Sequence, residues 1–213
     1  MGSVLPFYDR HIDIMILSHP HFDHVFGLLK VLERYEVDKI VITGAVHTTD
    51  AYLDFLNEIK KYDVEIVEGY KKIVLNDVSY LEFLYPLTNV YGQTFKNVND
   101  TSIVTRFVEG KTSFLFPGDV EMVSEQELVA SGLELKSDVL MAPHQGSKTS
   151  SSLEFLKAVD PKLVIISVGE GNDYGHPHKE VVDRYQGLGI RYLRTDYEGT
   201  ITIETNGDEY FVK

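Results

Sequence analysis

Four side chains that bind transition metals stand within six positions of the stretch Ser18-His19-Pro20-His21-Phe22-Asp23-His24. An apolar run at residues 12–17 precedes the stretch, and apolar residues recur at helical spacing over residues 25–35. We therefore expect it to connect a buried strand to a helix that Asp23 and His24 open, and such a connection is stiff enough to hold metal ligands. His19 and His21 stand two apart and could bind one ion from the same side. Asp23 and His24 point elsewhere and suit a second ion.

The alternative is a polar surface turn that happens to be rich in histidine. A single histidine would favour that interpretation, whereas three histidines and an aspartate at this density make it much the weaker one.

Composition narrows the possible classes of protein. The chain has 213 residues, so we expect one domain over residues 1–213, and the absence of cysteine excludes a disulfide framework and a thiolate metal site. No apolar run approaches the ~18 residues that span a bilayer, and residues 1–10 lack the features of a signal peptide. We therefore expect a cytoplasmic chain by default. The net charge of −13 argues against a broad basic groove for nucleic acid, although bound cations would reverse the local field.

Helical and strand patterns alternate early in the chain, and β-hairpin patterns follow in the middle and at the end. Val4 to Tyr8 resembles the tail of a helix that leads into the first strand. Helices are predicted over residues 48–60, 121–130, 152–159 and 179–188. Further strands are predicted over residues 39–43, 64–67, 72–75, 78–84, 102–108, 112–116, 138–142, 163–168, 191–194, 200–204 and 209–212. This order favours an α/β fold with two sheets and helices packed outside them.

Three later residues of metal-binding or catalytic type each follow a predicted strand. Asp119 ends the stretch Phe114 to Asp119, where its carboxylate could bridge two cations, although a helix cap or turn former is an equally ordinary role. His144 stands at the next strand end, where a buried, hydrogen-bonded histidine is the alternative. His176 follows the strand that ends at Val168 and a glycine-rich loop, and a hydrogen bond that braces the loop would also explain it. All four strand ends fit one rim of one fold.

At these residues the chain resembles the metallo-β-lactamase superfamily. The matching motifs are the defining pattern His19-x-His21-x-Asp23-His24, the bridging aspartate of Gly118-Asp119 and the final histidine, His144. Closer still is the metallo-β-lactamase-like domain of the ComEC family of DNA-internalisation competence proteins, which residues 99–104, 114–119, 142–151, 167–177 and 192–199 resemble. The resemblance runs from about residue 4 to about residue 205. It implies a four-layer αβ/βα sandwich with a metal site at one edge.

Departures from the family pattern bear on the metal and on assembly. The family has further strands ahead of the histidine-rich motif, so we expect an N-terminally truncated sandwich whose exposed sheet edge could pair in a homodimer. Gln145 stands where the ComEC pattern often has a second histidine. Asn99 or Asp100 lies where many members have a third histidine ligand, and oxygen donors there make manganese a rival to zinc. His47 is a further alternative ligand, although its sequence context favours a surface residue at a helix start.

The ligand types imply two divalent cations per chain, zinc or manganese, that provide a metal-bound hydroxide near neutral pH. The expected metal ligands are His19, His21, Asp23, His24, Asp119 and His144. Asp23 would also orient the nucleophile. His176 would donate a proton to the leaving group or hold a phosphate oxygen.

Three functions remain open from the sequence. The favoured one is a metal-dependent phosphodiesterase or nuclease that acts on single- or double-stranded DNA, outside the cytoplasm if the chain is part of a ComEC-like membrane protein. The second is an acyl hydrolase that opens β-lactams or lactones, which the missing third histidine disfavours. The third is a truncated, non-catalytic module.

Overall fold

The computed structural model describes residues 5–6 and 8–213. Of the segment predicted as a helix tail, Val4 and Phe7 therefore lie outside the described residues.

A small parallel sheet forms the first half of the sandwich. Its strands, in spatial order, are β1 (His11–Ile16), β2 (Glu36–Ile42) and β3 (Asp63–Ile66). Helices α1 (Phe22–Leu32) and α2 (Asp50–Glu58) connect these strands and cover one face of the sheet. Val25 and Leu32 lie seven positions apart on one face of α1 and are buried, as is Phe55 of α2. Each such side chain contributes about 1.5–3 kcal/mol by leaving water.

A larger mixed sheet forms the second half. Its spatial order is β10-β9-β8-β7-β6-β5-β4, antiparallel from β4 to β7 and parallel from β7 to β10. The strands are β4 (Lys71–Val74), β5 (Ser79–Tyr85), β6 (Val104–Glu109), β7 (Thr112–Phe116), β8 (Val139–Met141), β9 (Leu163–Ile166) and β10 (Arg191–Arg194). Three helices pack on its outer face: α3 (Met122–Ala130), α4 (Leu153–Val159) and α5 (Lys179–Gly187).

Apolar side chains between the sheets join the two halves. Val41 and Val67 from the small sheet and its margin pack against Phe83 and Ile103, and all four are buried. The order of layers is therefore helices, sheet, sheet, helices, which confirms the predicted αβ/βα sandwich.

The small sheet leaves part of the large one uncovered. Within the described residues, β1 pairs only with β2, so its other edge carries no strand. A cavity of about 870 Å³ lies beside Ile16 of β1 and above Phe107, Phe116 and Met141 of the large sheet. The predicted exposed edge is thus present in the structure, next to apolar surface.

The chain ends in a hairpin that the Asn206-Gly207 pair predicts. Its strands are β11 (Ile203–Thr205) and β12 (Tyr210–Val212), which pack on the inner face of the large sheet. A four-residue helical turn, α6 (Thr195–Glu198), precedes it and was absent from the sequence prediction. The strand predicted over residues 200–204 begins in the structure at Ile203, three residues later than predicted.

Candidate metal centre

The histidine-rich stretch connects β1 to α1, as its sequence predicts. The amide of Leu17 still donates to Val41 O of the neighbouring strand, at 3.0 Å, so the turn starts from a fixed backbone. His21 is the N-cap residue of α1 and makes no side-chain cap hydrogen bond. Because α1 begins at Phe22, Asp23 and His24 stand in its first turn.

The Ser18 hydroxyl holds two of the imidazoles. Its Oγ lies 3.2 Å from Nδ1 of His19 and 3.1 Å from Nδ1 of His24. Both rings are thereby fixed through Nδ1, which leaves Nε2 of each available on the other side. Nε2 of His19 lies 3.1 Å from Nδ1 of His21, so the nitrogens of these two rings converge.

Asp119, from the large sheet, lies next to the same imidazoles. It follows β7 in a turn where Gly118 has a φ of +60°, a conformation that glycine adopts without strain. Its Oδ2 lies 3.4 Å from Nε2 of His24, 3.7 Å from Nε2 of His144 and 3.8 Å from Nε2 of His19. One buried carboxylate oxygen therefore stands among three imidazole nitrogens.

His144 is presented by a strained turn after β8. Its φ is +48° and that of Gln145 is +54°, a region that side-chain-bearing residues rarely occupy. The amide of His144 donates to Gly118 O at 3.0 Å, which ties the two loops together. Such conformations cost ~1–3 kcal/mol and recur at functional sites.

The charges at this cluster suit a cation. Burial, and then the neighbouring His24, lower the pKa of His19 to about 3, and burial with His47 lowers the pKa of His21. Burial acts to raise the pKa of Asp119, but hydrogen bonding to His24 and the nearby imidazoles outweigh it and lower that pKa. Burial likewise acts to lower the pKa of His24, which its hydrogen bond to Asp119 instead raises. The site thus holds an ionised carboxylate beside His24, together with two imidazoles, those of His19 and His21, whose lowered pKa favours the neutral form.

Buried polar atoms without hydrogen bonds support the same conclusion. Among the described residues, Oδ1 of Asn99 and Nδ1 of both His144 and His176 are buried and make no hydrogen bond. Leaving such atoms unpaired costs ~1–3 kcal/mol each, so they call for a partner or a function. Oδ1 of Asn99, together with the converging nitrogens and the carboxylate, fits a divalent metal.

The two proposed oxygen donors, Asp100 and Asn99, have different hydrogen-bond partners in the structure. Asp100 accepts hydrogen bonds from Ser124 at 2.8 Å and from Asn97 at 3.2 Å, so its carboxylate is occupied on the α3 side. Asn99 is buried and donates through Nδ2 to Glu121, at 3.2 Å. Of the pair, Asn99 is the residue whose free oxygen remains a candidate ligand.

Asp23 and His176 stand at the margin of the cluster. The Asp23 side chain is 60% exposed, with its Oδ2 3.6 Å from Nε2 of His24, and it accepts a long hydrogen bond from Gln145. His176 lies 5.7 Å from His144 between ring centroids. Both line a cavity of about 370 Å³ that also contains Asp119.

Ser18 and Glu121 near the site carry no predicted role, and His47 was predicted only as an alternative ligand. Ser18 and Glu121 contact the imidazoles that face Asp119. His47, interpreted as a surface residue, lines the cavity with its ring centroid 5.6 Å from that of His21. The sequence signal for Ser18 was its place inside the histidine-rich stretch, and that for Glu121 was its place two residues after Asp119.

Comparison with known proteins agrees with the geometry. Residues 8–170 match the family model described as the metallo-beta-lactamase superfamily. ComE operon protein 3 of Bacillus subtilis is 33% identical over 192 residues, which are 90% of this chain and 24% of that protein. Competence protein ComA of Neisseria gonorrhoeae is 42% identical over 109 residues, which are 50% of this chain and 16% of that protein. The chain thus spans about a quarter or less of these relatives, and the predicted resemblance to competence proteins is confirmed.

A solved structure is similar in fold. A protein of Parabacteroides distasonis, named as a presumed metal-dependent hydrolase, aligns with a TM-score of 0.52 at 14% identity, covering 89% of this chain and 78% of that one. No helix in the described part of the chain has the length and apolar character needed to cross a membrane.

Proposed function

The chain belongs to the metallo-β-lactamase superfamily, and from this premise we propose that it is a metal-dependent phosphodiesterase that cleaves DNA. The observation that carries the proposal is the position of Asp119 Oδ2, which lies 3.4–3.8 Å from three imidazole nitrogens supplied by two different loops. A carboxylate so placed can share its two oxygens between cations.

We propose that the site holds two divalent ions, zinc or manganese. His19 and His21 would bind the first, Asp23 and His24 the second, and Asp119 would bridge them with His144 beside it. Such ions lower the pKa of water towards ~7 and stabilise charge on phosphoryl oxygens.

Asp23 and His176 are the candidates for contact with the reacting groups. Asp23 is exposed at the cavity, where its carboxylate can accept a proton or orient a nucleophile. Burial, and then His144 and His178, lower the pKa of His176, so its ring is neutral at pH 7. A neutral imidazole with one N–H favours holding a phosphoryl oxygen over protonating a leaving group.

Aromatic side chains at the cavity margin support a nucleic-acid substrate. Tyr174 is 76% exposed and stacks on His176 with a centroid distance of 5.7 Å. At the start of α1, Phe22 is 57% exposed and stacks on Phe26 with a centroid distance of 5.2 Å. Exposed rings are the usual platforms for unpaired bases, each worth ~1–3 kcal/mol. The names of the relatives, a competence protein among them, agree with DNA as the substrate.

The decisive experiment combines metal analysis with DNA cleavage. We expect the wild-type chain to bind two ions and to cut oligonucleotides in a reaction that a chelator stops and manganese or zinc restores. Asp119→Ala should lose bound metal and cleavage together, whereas the exposed Asp208→Ala should keep both. Intact DNA with every metal, from a fully loaded wild type, would exclude the nuclease; hydrolysis of a chromogenic β-lactam would then favour the acyl hydrolase.

The stacking platform has a separate test. Tyr174→Ala should raise KM for a single-stranded oligonucleotide by about 5–150-fold, the loss of one stacked base. Tyr197→Ala, which removes an equally exposed tyrosine on α6, should leave KM unchanged. Equal effects of the two substitutions would show that Tyr174 does not contact the substrate.

We also propose that the open edge of β1 pairs with a second copy of the chain. Because the amide of Leu17 faces β2, the amides of Ile14 and Ile16 face the open side. Light scattering should show a dimer for the wild type and a folded monomer for Ile14→Pro, which removes one outward amide. A wild type that stays monomeric at high concentration contradicts this pairing.

A further inference from the structure

Glu121 stands at the start of a helix that its side chain does not cap. It is the N-cap residue of α3, yet its side chain makes no cap hydrogen bond to that helix. Glutamate is also outside the group of short polar residues that cap helices well. A residue that breaks a local rule in this way is expected to serve something other than its own helix.

The carboxylate of Glu121 turns towards the metal centre instead. Its Oε1 lies 3.4 Å from Nδ1 of His144 and accepts a hydrogen bond from Nδ2 of Asn99 at 3.2 Å. Nδ1 of His144 is buried and makes no hydrogen bond with any described residue, so its contact with the Glu121 carboxylate is one of charge and proximity. The 3.4 Å separation is longer than a normal N–H···O hydrogen bond, and contacts of this kind in ligand-free sites often tighten when the site is occupied.

This contact bears on which nitrogen of His144 carries the proton. A neutral imidazole has one N–H and one lone pair. A carboxylate facing Nδ1 favours the proton there, which leaves the lone pair on Nε2, and Nε2 is the atom that lies 3.7 Å from Asp119 Oδ2. Nδ1 of His19 and Nδ1 of His24 lie next to the neutral hydroxyl of Ser18. Of the three histidines around Asp119, His144 is therefore the one whose Nδ1 lies next to a carboxylate.

The backbone around His144 needs such a restraint. With φ values of +48° at His144 and +54° at Gln145, the turn is strained and its ring position depends on neighbouring contacts. Next to Glu121, the amide of Met122 donates to Thr149 O at 2.9 Å. The start of α3 is therefore attached to the loop that carries His144.

We propose that Glu121 is a positioning residue of the metal centre: it fixes the tautomer and orientation of His144, and Asn99 holds its carboxylate in place. The inference rests on the metal centre of the proposed function and is independent of DNA as the substrate. Hydrogen-bonded partners of this kind typically change metal affinity by ~10–100-fold when removed.

The first test needs no metal. Nitrogen-15 NMR of the histidine rings should show His144 of the metal-free wild type protonated at Nδ1. Glu121→Ala should shift the ring towards protonation at Nε2, and Glu121→Gln, which keeps an oxygen acceptor, should retain the wild-type tautomer. Glu154→Ala removes an exposed carboxylate from the first turn of α4 and should change nothing.

The second test measures zinc affinity by competition with a chromogenic chelator. Glu121→Ala should weaken binding by about 10–100-fold and Glu121→Gln by less, with thermal unfolding of the metal-free variants unchanged. If Glu121→Ala fails to fold, Glu121→Asp, whose shorter side chain no longer reaches Nδ1 of His144, should show a loss of the same kind. Wild-type tautomer and affinity in Glu121→Ala would overturn the inference. A wild type that binds zinc but leaves DNA intact would refute the nuclease alone.

Discussion

At the scale of single residues, the site depends on glycines that allow close approach of its loops. Gly146 has a φ of +82°, and a Cβ placed there would lie 2.6 Å from Cβ of Pro177. Gly146 follows the turn of His144 and Pro177 follows His176, so this contact sets the distance between two site histidines. A methyl group at Gly146 would therefore separate them.

We expect Gly146→Ala to lower the free energy of unfolding by about 3 kcal/mol or more, the sum of left-handed strain and overpacking. Gly175→Ala is the matched control, because its φ is +69° but nothing lies within 4 Å of its Cβ position. That variant should lose only ~1–2 kcal/mol. Urea denaturation measures both, and equal losses would mean that the Pro177 contact yields easily.

Single residues also show where sequence reasoning stops. His19, Asp119 and His144 could be proposed as ligands because their side chains and motifs are typical of metal sites. Ser18 and Glu121 could not, since a hydroxyl or a carboxylate behind an imidazole is recognised only once the rings have positions. The two oxygen donors are similar: only the contacts of Asp100 with Ser124 and Asn97 separate it from Asn99.

At the scale of elements, one carboxylate links three strands of the large sheet. Asp138, just before β8, accepts hydrogen bonds from the Ser113 amide of β7 at 2.9 Å and from Lys162, before β9, at 2.7 Å. Burial acts to raise the pKa of Asp138, but the bonds from Lys162 and Ser113 outweigh it and lower that pKa below 3.8. The folded state therefore favours the ionised form.

A lowered pKa gives a defined dependence of stability on pH. The stabilisation by Asp138 is complete above its unfolded pKa of 3.8 and is lost as the pH falls through the lower folded value. We expect Asp138→Asn to cost about 1–2 kcal/mol at pH 7 and to unfold more nearly like the wild type below pH ~3.8. Denaturation curves at several pH values check this; a difference that persists unchanged into acid would contradict it.

Strands and helices with a strong apolar pattern were predicted to within a few residues at each end. The helix after the histidine-rich stretch, predicted to open at Asp23 and His24, begins at Phe22. Helix α6 was missed, since four residues are too few to show a helical period. The spatial order of strands β10 to β4 in the large sheet could not be predicted from the sequence either, because strand pairing depends on contacts between distant segments.

At the scale of the whole molecule, charge constrains how DNA would bind. The chain carries a net charge of −13, and among the described residues that line the 370 Å³ cavity there is no lysine or arginine. Bound cations would then hold the substrate phosphates and the exposed rings its bases, with little release of counterions.

We therefore expect weak dependence on monovalent salt. KM for a single-stranded oligonucleotide should rise by less than about tenfold between roughly 50 and 200 mM salt, where proteins with six to ten phosphate contacts lose ~10³–10⁵ in affinity. Steady-state kinetics at fixed manganese concentration measure this. A steep loss would point to a basic surface outside the cavity.

The position of Asp119 and His19 on opposite halves of the sandwich has a mechanical consequence. An ion bound by both would cross-link segments 100 positions apart in the chain, so coordination would clamp the small sheet onto the large one. Occupancy at 100 times the dissociation constant would add about 2.7 kcal/mol to folding. Removal of that ion would then weaken the attachment between the two halves and abolish the proposed activity at the same time. Protease digestion with and without a chelator would show which half becomes easier to cleave.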